Sequence, residues 1–360
     1  MSELKLDKQK KQLVNALLIK KFTSLGFNKL TEIQQQAIPK ILEKKNSLII
    51  APTGSGKTEC SVIPIFLHIK KSKSTGKIKM LYITPLRALN RDVHRRIITY
   101  GEKEGLNIKI RHGDTSQADR KKIADSPPDI LITTPETLVL LLSQRKYLSA
   151  LSELEWIVID EIHELLASER GSQLSISLER LQLNSNQEIH RVGLSATVGN
   201  IYEAGKFLVG NTRKCEIIRD KSIRHYDVDV KFVDGGIYEV AKGIIDYVNK
   251  MKIHSPVLLF TNSRGESETL ASVLKERTKM KIDLHHGSLS RQVREETETI
   301  LRDGVPGIVV CTSSLELGLD LGSIELVIHY GSPRQVSKFM QRIGRSKPVS
   351  YTHLTLPTKA

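Results

Sequence analysis

Short aliphatic runs alternate with longer mixed stretches along the first part of the chain: Ser47-Leu48-Ile49-Ile50, Met80-Leu81-Tyr82-Ile83, Asp129-Ile130-Leu131-Ile132, Trp156-Ile157-Val158-Ile159 and Arg191-Val192-Gly193-Leu194. Runs that are apolar at successive rather than alternate positions predict strands buried on both faces, the pattern of a parallel sheet. Helical stretches over 59–70 and 86–100 lie between them, and this βαβα alternation predicts an α/β domain with helices on both faces of its sheet. The rhythm restarts at Val257-Leu258-Leu259-Phe260 and continues through Ile282-Asp283-Leu284, Gly307-Ile308-Val309-Val310 and Leu326-Val327-Ile328. Between the two sets, 212–238 holds charge, the alternating Tyr226-Asp227-Val228-Asp229-Val230 and the pair Gly235-Gly236. It shows no strand–helix rhythm and is expected to be a linker between domains at 1–211 and 239–347.

Composition narrows the class. The chain has 360 residues, 39% hydrophobic and 26% charged, which suits about two domains with a sizeable core and excludes a disulfide-stapled mini-protein. Cys60, Cys215 and Cys311 stand apart, without metal or disulfide spacing, and read as packing residues. Apolar runs such as Leu138 to Leu142 are too short to span a bilayer, and the polar start carries no secretory signal. A cytoplasmic location without membrane contact is expected. Lys and Arg number 55 against 40 Asp and Glu, a net charge of +15. Such a surface either binds a phosphate backbone by displacing its counterions or is simply solvated lysine.

The chemistry begins after the first strand, where Ala51-Pro52-Thr53-Gly54-Ser55-Gly56-Lys57-Thr58 leads directly into a helical stretch. This is a P-loop in the context it requires, although Ala51 replaces the usual first glycine. Thr53 to Gly56 supply backbone N–H groups around phosphates, Lys57 reaches the terminal oxygens, and Thr58 can ligate Mg²⁺. The strand at Trp156 ends in Asp160-Glu161-Ile162-His163. Asp160 there suits Mg²⁺ held through water, and Glu161 suits polarisation of an attacking water.

Thr31-Glu32-Ile33-Gln34, the P-loop, Thr84-Pro85-Leu86-Arg87-Ala88-Leu89-Asn90, Thr133-Thr134-Pro135-Glu136, the DEIH run and Ser195-Ala196-Thr197 resemble the ordered motifs of superfamily 2 helicases. The second half extends the match through Phe260-Thr261-Asn262-Ser263-Arg264, His286-Gly287-Ser288, 312–320 and Gln341-Arg342-Ile343-Gly344-Arg345. The DEIH variant with Pro85 to Asp92 and Leu194 to Asn200 is similar to the large helicase-related (Lhr-type) family, especially its archaeal members.

That resemblance implies two tandem RecA-like P-loop NTPase domains, parallel sheets flanked by helices, closing over ATP and Mg²⁺. It implies that Gln34 reads the adenine, that Gly318 and Asp320 approach the nucleotide, and that Arg345, with Arg342 as second candidate, stabilises the transferring phosphoryl group. Ser195 and Thr197 would couple hydrolysis to domain movement. A sequence-tolerant strand groove would use Pro85, Arg87, Asn90, Arg91, Gly113, Asp114, Thr134 and Pro135, faced by Asn262, Arg264, His286, Gly287, Thr312 and Ser313. The implied partner is single-stranded nucleic acid, as DNA or an RNA:DNA hybrid, with 3′ to 5′ movement and a role in DNA repair or recombination. The adjacent His285 and His286 have no partner cluster and are not expected to bind metal.

After Arg345 the family pattern of glycine, histidine and arginine is replaced by Ser346-Lys347-Pro348 and then Val349-Ser350-Tyr351-Thr352-His353-Leu354-Thr355-Leu356-Pro357-Thr358. The codons GTC TCT TAT ACA CAT CTG ACG CTG CCG ACG encode that run and match a transposase sequencing adapter. Residues 348–360 are therefore expected to be an adapter-derived, non-native tail following a second domain that is incomplete at its C-terminus. Such a fragment is expected to bind nucleotide weakly and separate strands poorly. An RNA-processing helicase and a nucleic-acid-binding fragment without turnover stay open as alternatives.

Overall fold

The computed structural model describes residues 22–23, 25, 29–52, 54–71, 76–85, 91–166, 168–196, 199–220, 227–316 and 324–357, without the side chains of 71, 91, 92, 291, 337 and 347–357. The chain divides into two compact units, one of Met1–Pro85 with Arg95–Asp220, the other of Lys221–Ala360 with Leu86–His94. Among the described residues no helix is long and apolar enough to cross a membrane.

The first unit is built on seven strands: β1 (Ser47–Ile50), β2 (Met80–Ile83), β3 (Ile108–Arg111), β4 (Ile130–Thr133), β5 (Trp156–Ile159), β6 (His190–Ser195) and β7 (Glu216–Arg219). They lie in the order β3-β4-β2-β5-β6-β1-β7, and every pairing is parallel. β1, β2, β4 and β5 are buried at every position, as unbroken aliphatic runs require when helices cover both faces of a sheet. The second unit has six strands: β8 (Asp227–Val233), β9 (Pro256–Phe260), β10 (Ile282–His285), β11 (Gly307–Cys311), β12 (Ile324–Tyr330) and β13 (Ser346–Pro357). Their order is β10-β11-β9-β12-β13-β8, again with every pairing parallel.

Three strands lie outside the sequence expectation. β3, β7 and β8 are at sheet edges, where one or both faces meet water and the run is broken by Lys, Glu or Asp. The stretch 212–238, expected as linker, contributes β7 to the first sheet and β8 to the second, and the units divide between Asp220 and Lys221. The backbone of 346–357, which takes in most of the expected adapter-derived tail, forms β13, paired with β12 on one side and β8 on the other. The physical reason is available in composition, since Val349 to Leu356 is rich in β-branched, aromatic and aliphatic residues. Ladder hydrogen bonds join backbone to backbone, so the pairing carries no information about the origin of that run.

The 3-10 turn Ile162–Glu164 after β5 is followed by a helix, Glu169–Asn184, whose start is fixed by Ser168: its hydroxyl accepts the Gly171 N–H at 3.1 Å. A Cβ on Gly171 would stand 2.0 Å from the Leu165 carbonyl oxygen, a backbone atom that cannot rotate away. Alanine normally favours a helix, but here the clash outweighs propensity, and Gly171→Ala is expected to destabilise the protein by about 1–3 kcal/mol. A thermal unfolding midpoint equal to or above that of the parent protein would show the close approach to be relaxed at no cost.

Candidate functional site

Strand β1 delivers the P-loop at its C-terminal end, and the helix Lys57–Lys71 begins at once. Gly54 and Gly56 take φ of 74° and 85°, the left-handed region that side chains avoid, and this turns the loop over the helix N-terminus. Lys57 is buried, with Nζ donating to the carbonyl of Ala51 and, at 3.1 Å, to that of Pro52. The Ser55 hydroxyl is buried without a hydrogen-bond partner among the described residues. A helix N-terminus, an ammonium and an unsatisfied hydroxyl together form a donor set suited to phosphate oxygens.

Gln34 packs against this loop from the helix Glu32–Leu42. Its Oε1 accepts the Thr31 N–H at 3.0 Å, completing a capping box, and its Nε2 donates to the Gly56 carbonyl at 3.4 Å. Thr31 Oγ1 donates to the Ser55 carbonyl at 2.9 Å. A Cβ on Gly56 would lie 2.2 Å from Gln34 Nε2, so glycine is needed there for the Gln34 contact as well as for its φ.

The carboxylates arrive on β5, two strands from β1 across β6. Asp160 is 5% exposed, and burial together with the neighbouring Glu161 charge pushes its carboxyl up to about 6. The Tyr82 hydroxyl donates to Asp160 Oδ2 at 2.6 Å, and Thr58 is a hydrogen-bond neighbour of the same hydroxyl. Burial raises the Tyr82 phenol well above its ordinary value, so it remains a donor. Tyr82 thus links the two residues expected to meet Mg²⁺, a role not visible in the sequence, where it sits inside an otherwise aliphatic strand. Glu161 adopts φ 46° and ψ 47°, an uncommon left-handed conformation for a non-glycine residue at a strand end. Among the described residues no group of three or more His, Cys, Asp or Glu could hold a metal ion. One hydroxyl and one carboxylate instead fit Mg²⁺, which takes most of its oxygens from phosphate and water.

His163, left without a role by the sequence, faces Ser195 of β6 with Nδ1 2.9 Å from the hydroxyl. Burial lowers the His163 pKa, favouring the neutral ring at neutral pH. Thr53, Arg87, Asn90, Thr197, Gly318 and Asp320 lie outside the described residues, as does the side chain of Arg91.

Several expected groove residues have partners within the protein. Thr134 is buried, and its hydroxyl caps the helix Pro135–Leu141 with Pro135 in the first turn, so neither side chain reaches outward. Pro85 is buried, and its carbonyl accepts from Arg170 at 2.6 Å. Gly113 accepts from Arg120, whereas Asp114 is exposed. In the second unit, His286 is buried with Nε2 3.1 Å from a Glu268 carboxylate oxygen, which withdraws its ring from solvent. His285 spans from Glu298, at 3.3 Å, to the Ser314 hydroxyl, at 2.8 Å. Asn262, Arg264, Gly287 and Ser313 are exposed at strand ends or the helix start that follows, and Thr312 is half-buried.

Arg342, the second candidate for the phosphoryl group, is held by contacts within the second unit. Its guanidinium is 2% exposed, with Nε 2.8 Å from Glu316 Oε1 and the carbon centre 5.0 Å from the Phe260 ring centroid. Arg345 is less deeply placed, with Nε and Nη2 donating to the Glu316 carbonyl at 3.1 and 2.6 Å. His329 lies beside the rings of Phe260 and Phe339, and burial drives its pKa down to about 3.

Fold and first-unit site define a P-loop NTPase with two RecA-like domains. The chain belongs to the superfamily 2 helicases: residues 31–204 match the DEAD/DEAH box helicase family and residues 239–347 the helicase conserved C-terminal domain. It is 39% identical over 352 residues to the ATP-dependent helicase Lhr-Core of Methanocaldococcus jannaschii, covering 91% of this chain and 41% of the relative. It is 32% identical over 396 residues to the Lhr helicase/uracil glycosylase of Escherichia coli, covering 89% of this chain and 25% of that protein. The solved structure of Mycobacterium smegmatis helicase Lhr bound to ssDNA and AMP-PNP superposes with a TM-score of 0.78 at 33% identity, covering 94% of this chain and 47% of that one. The chain therefore spans about two fifths of the length of the Lhr-Core relatives it matches.

The raised Asp160 pKa has a consequence for stability. Its folded value of about 6 exceeds the ordinary 3.8, so the folded protein takes up this proton more readily than the unfolded chain. Stability from this group therefore falls as pH rises from about 4 to about 6, and the cost, on the order of 3 kcal/mol, is complete above that window. Without nucleotide, Asp160→Asn is expected to raise the thermal midpoint at pH 8, with the gain shrinking towards pH 4. A lower midpoint at pH 8 would mean that ionised Asp160 is stabilising.

Proposed function

We propose that this chain is the motor part of an ATP-dependent helicase or translocase that couples ATP hydrolysis to movement along single-stranded DNA. The observation that carries the reading is the convergence of Lys57, Thr58, Asp160 and Glu161 at the strand ends of one sheet, with Tyr82 joining Thr58 to Asp160. Lys57 and the P-loop amides hold the β and γ phosphates, Thr58 and Asp160 hold Mg²⁺, and Glu161 orients the attacking water. Bound Mg²⁺ supplies charge neutralisation on the phosphate oxygens. The His163–Ser195 contact ties the carboxylate strand end to the next one, a route by which the nucleotide state reaches the rest of the unit. Arg345 is assigned the arginine-finger role, whereas Arg342 anchors its helix within the second unit through Glu316.

The substrate reading is single-stranded DNA with 3′ to 5′ movement, unwinding DNA or RNA:DNA duplexes in repair or recombination. Support comes from the Mycobacterium smegmatis relative, which was solved with ssDNA and AMP-PNP. The net charge of +15 agrees with a phosphate-backbone partner.

ATP hydrolysis is expected to rise on addition of single-stranded DNA. Lys57→Ala should lower it by roughly 10²-fold or more while leaving salt-sensitive DNA binding in place. Surviving hydrolysis in that variant would remove Lys57 from the site. Strand displacement on 3′- and 5′-tailed duplexes of DNA, RNA and RNA:DNA reads the direction and substrate, and preference for a 5′ tail or for RNA would overturn those assignments.

A further inference from the structure

Strand β8 is the outermost strand of the second sheet, and among the described residues only β13 pairs with it. The outermost strand of a sheet turns one row of backbone N–H and C=O groups outward, a template for a further strand. Side chains along a strand alternate between its two faces. Asp229, Lys231 and Val233 share the face covered by the helix Ile237–Met251, where Lys231 Nζ stands 4.6 Å from the Tyr247 ring centroid and Val233 packs on the core around Val240 and Ile244. Val228, Val230 and Phe232 share the opposite face, and all three are exposed, Phe232 at 69%. A large apolar stripe on an outer strand is a docking surface or a liability.

The charges on β8 select what fits it. A strand guarded by one sign of charge repels a second copy of itself, but here Asp229 and Lys231 stand on either side of Val230 with opposite signs. When two copies of β8 run antiparallel about a two-fold axis at Val230, Asp229 of each copy stands opposite Lys231 of the other. On the other face Val228 stands opposite Phe232, and Val230 meets its own equivalent. The Asp229 and Lys231 side chains are 53% and 49% exposed, so both can be reached from the side. Other arrangements do not match. Parallel pairing in register sets each charge against its like, and a two-fold axis at Asp229 or Lys231 brings two carboxylates or two ammonium groups together.

We propose that β8 is a homodimerisation edge, through which two copies of this chain join their second sheets antiparallel about a two-fold axis at Val230. The pairing turns two six-stranded sheets into one continuous sheet. Ladder hydrogen bonds, the apolar contact and the two Asp229–Lys231 pairs then form together, and the contact, being isologous, closes at two copies.

The test is the mass of the full chain by sedimentation velocity between about 1 and 100 µM, without nucleotide or nucleic acid. The parent protein should pass from monomer to dimer within that range. Val230→Lys, which alters an exposed side chain and sets two ammonium groups at the axis, should weaken association by about tenfold or more. Asp229→Lys and Lys231→Asp each oppose like charges and should weaken association alone. An equal mixture of those two variants restores opposite charges at both pairs and should sediment as a heterodimer, a result that packing damage could not produce. A parent protein that stays monomeric throughout, or that grows beyond the dimer, would overturn the proposal. Parent-like association of Val230→Lys would also overturn it, as would a mixture no stronger than its two components when each melts like the parent protein.

Discussion

Parallel pairing is the constraint on which the rest of the molecule depends. When every strand of a sheet runs the same way, every C-terminal strand end opens on one rim, and the chain must turn there without ladder partners. In the first unit that rim receives the P-loop from β1, Asp160 and Glu161 from β5 and Ser195 from β6. In the second it receives Asn262 after β9, His286 and Gly287 after β10, Ser313 after β11 and Arg334 after β12. Residues more than a hundred positions apart, such as Lys57 and Asp160, therefore share one rim because the sheet places their strands on either side of β6.

Burial then decides what those side chains are worth. A carboxylate, an ammonium and a guanidinium at a solvated rim would keep their ordinary affinities for protons and partners. Here Asp160 is nearly enclosed, which raises its pKa and makes the ionised form dependent on neighbours. Tyr82 supplies one such neighbour and Lys57 another, since the Lys57 charge acts to lower the same pKa. In the second unit the same physics separates two arginines three residues apart. Arg342 is desolvated and paired with Glu316, whereas Arg345 is less enclosed and is held by the Glu316 backbone. Glu316 orients both, one through its side chain and one through its carbonyl.

The legible part of the fold was the part with doubly buried strands. β1, β2, β4, β5, β9 and β11 announce themselves as aliphatic runs because both faces are covered. Edge strands have a weaker signal, and β3, with Lys109 and Arg111 between isoleucines, reads as loop unless its partner is known. Among the proposed site residues, those assigned from local order lie close after a strand end: Gly54, Gly56 and Lys57 in the loop and helix start after β1, and Asp160 next to β5. Tyr82, His163 and Glu316 were not so assigned, because their roles are set by what the neighbouring strand places opposite them. Thr134 and His286, expected in the strand groove, also have neighbours within their own units that the motifs do not announce, the start of one helix and the carboxylate of Glu268.

β13 separates two properties that sequence reading treats together, the ability to form a strand and the identity of its residues. The 346–357 backbone fills a position between β12 and β8 through hydrogen bonds that any non-proline residue can make. Edge N–H and C=O groups on β12 favour such pairing with whichever extended segment reaches them. The rim chemistry has the opposite dependence. Replacing Lys57 or Asp160 leaves β1 and β5 able to pair, yet removes the groups proposed to meet phosphate and metal. Strand content is therefore weak support for function in this chain, and the positions that decide function are the few residues immediately beyond the strand ends.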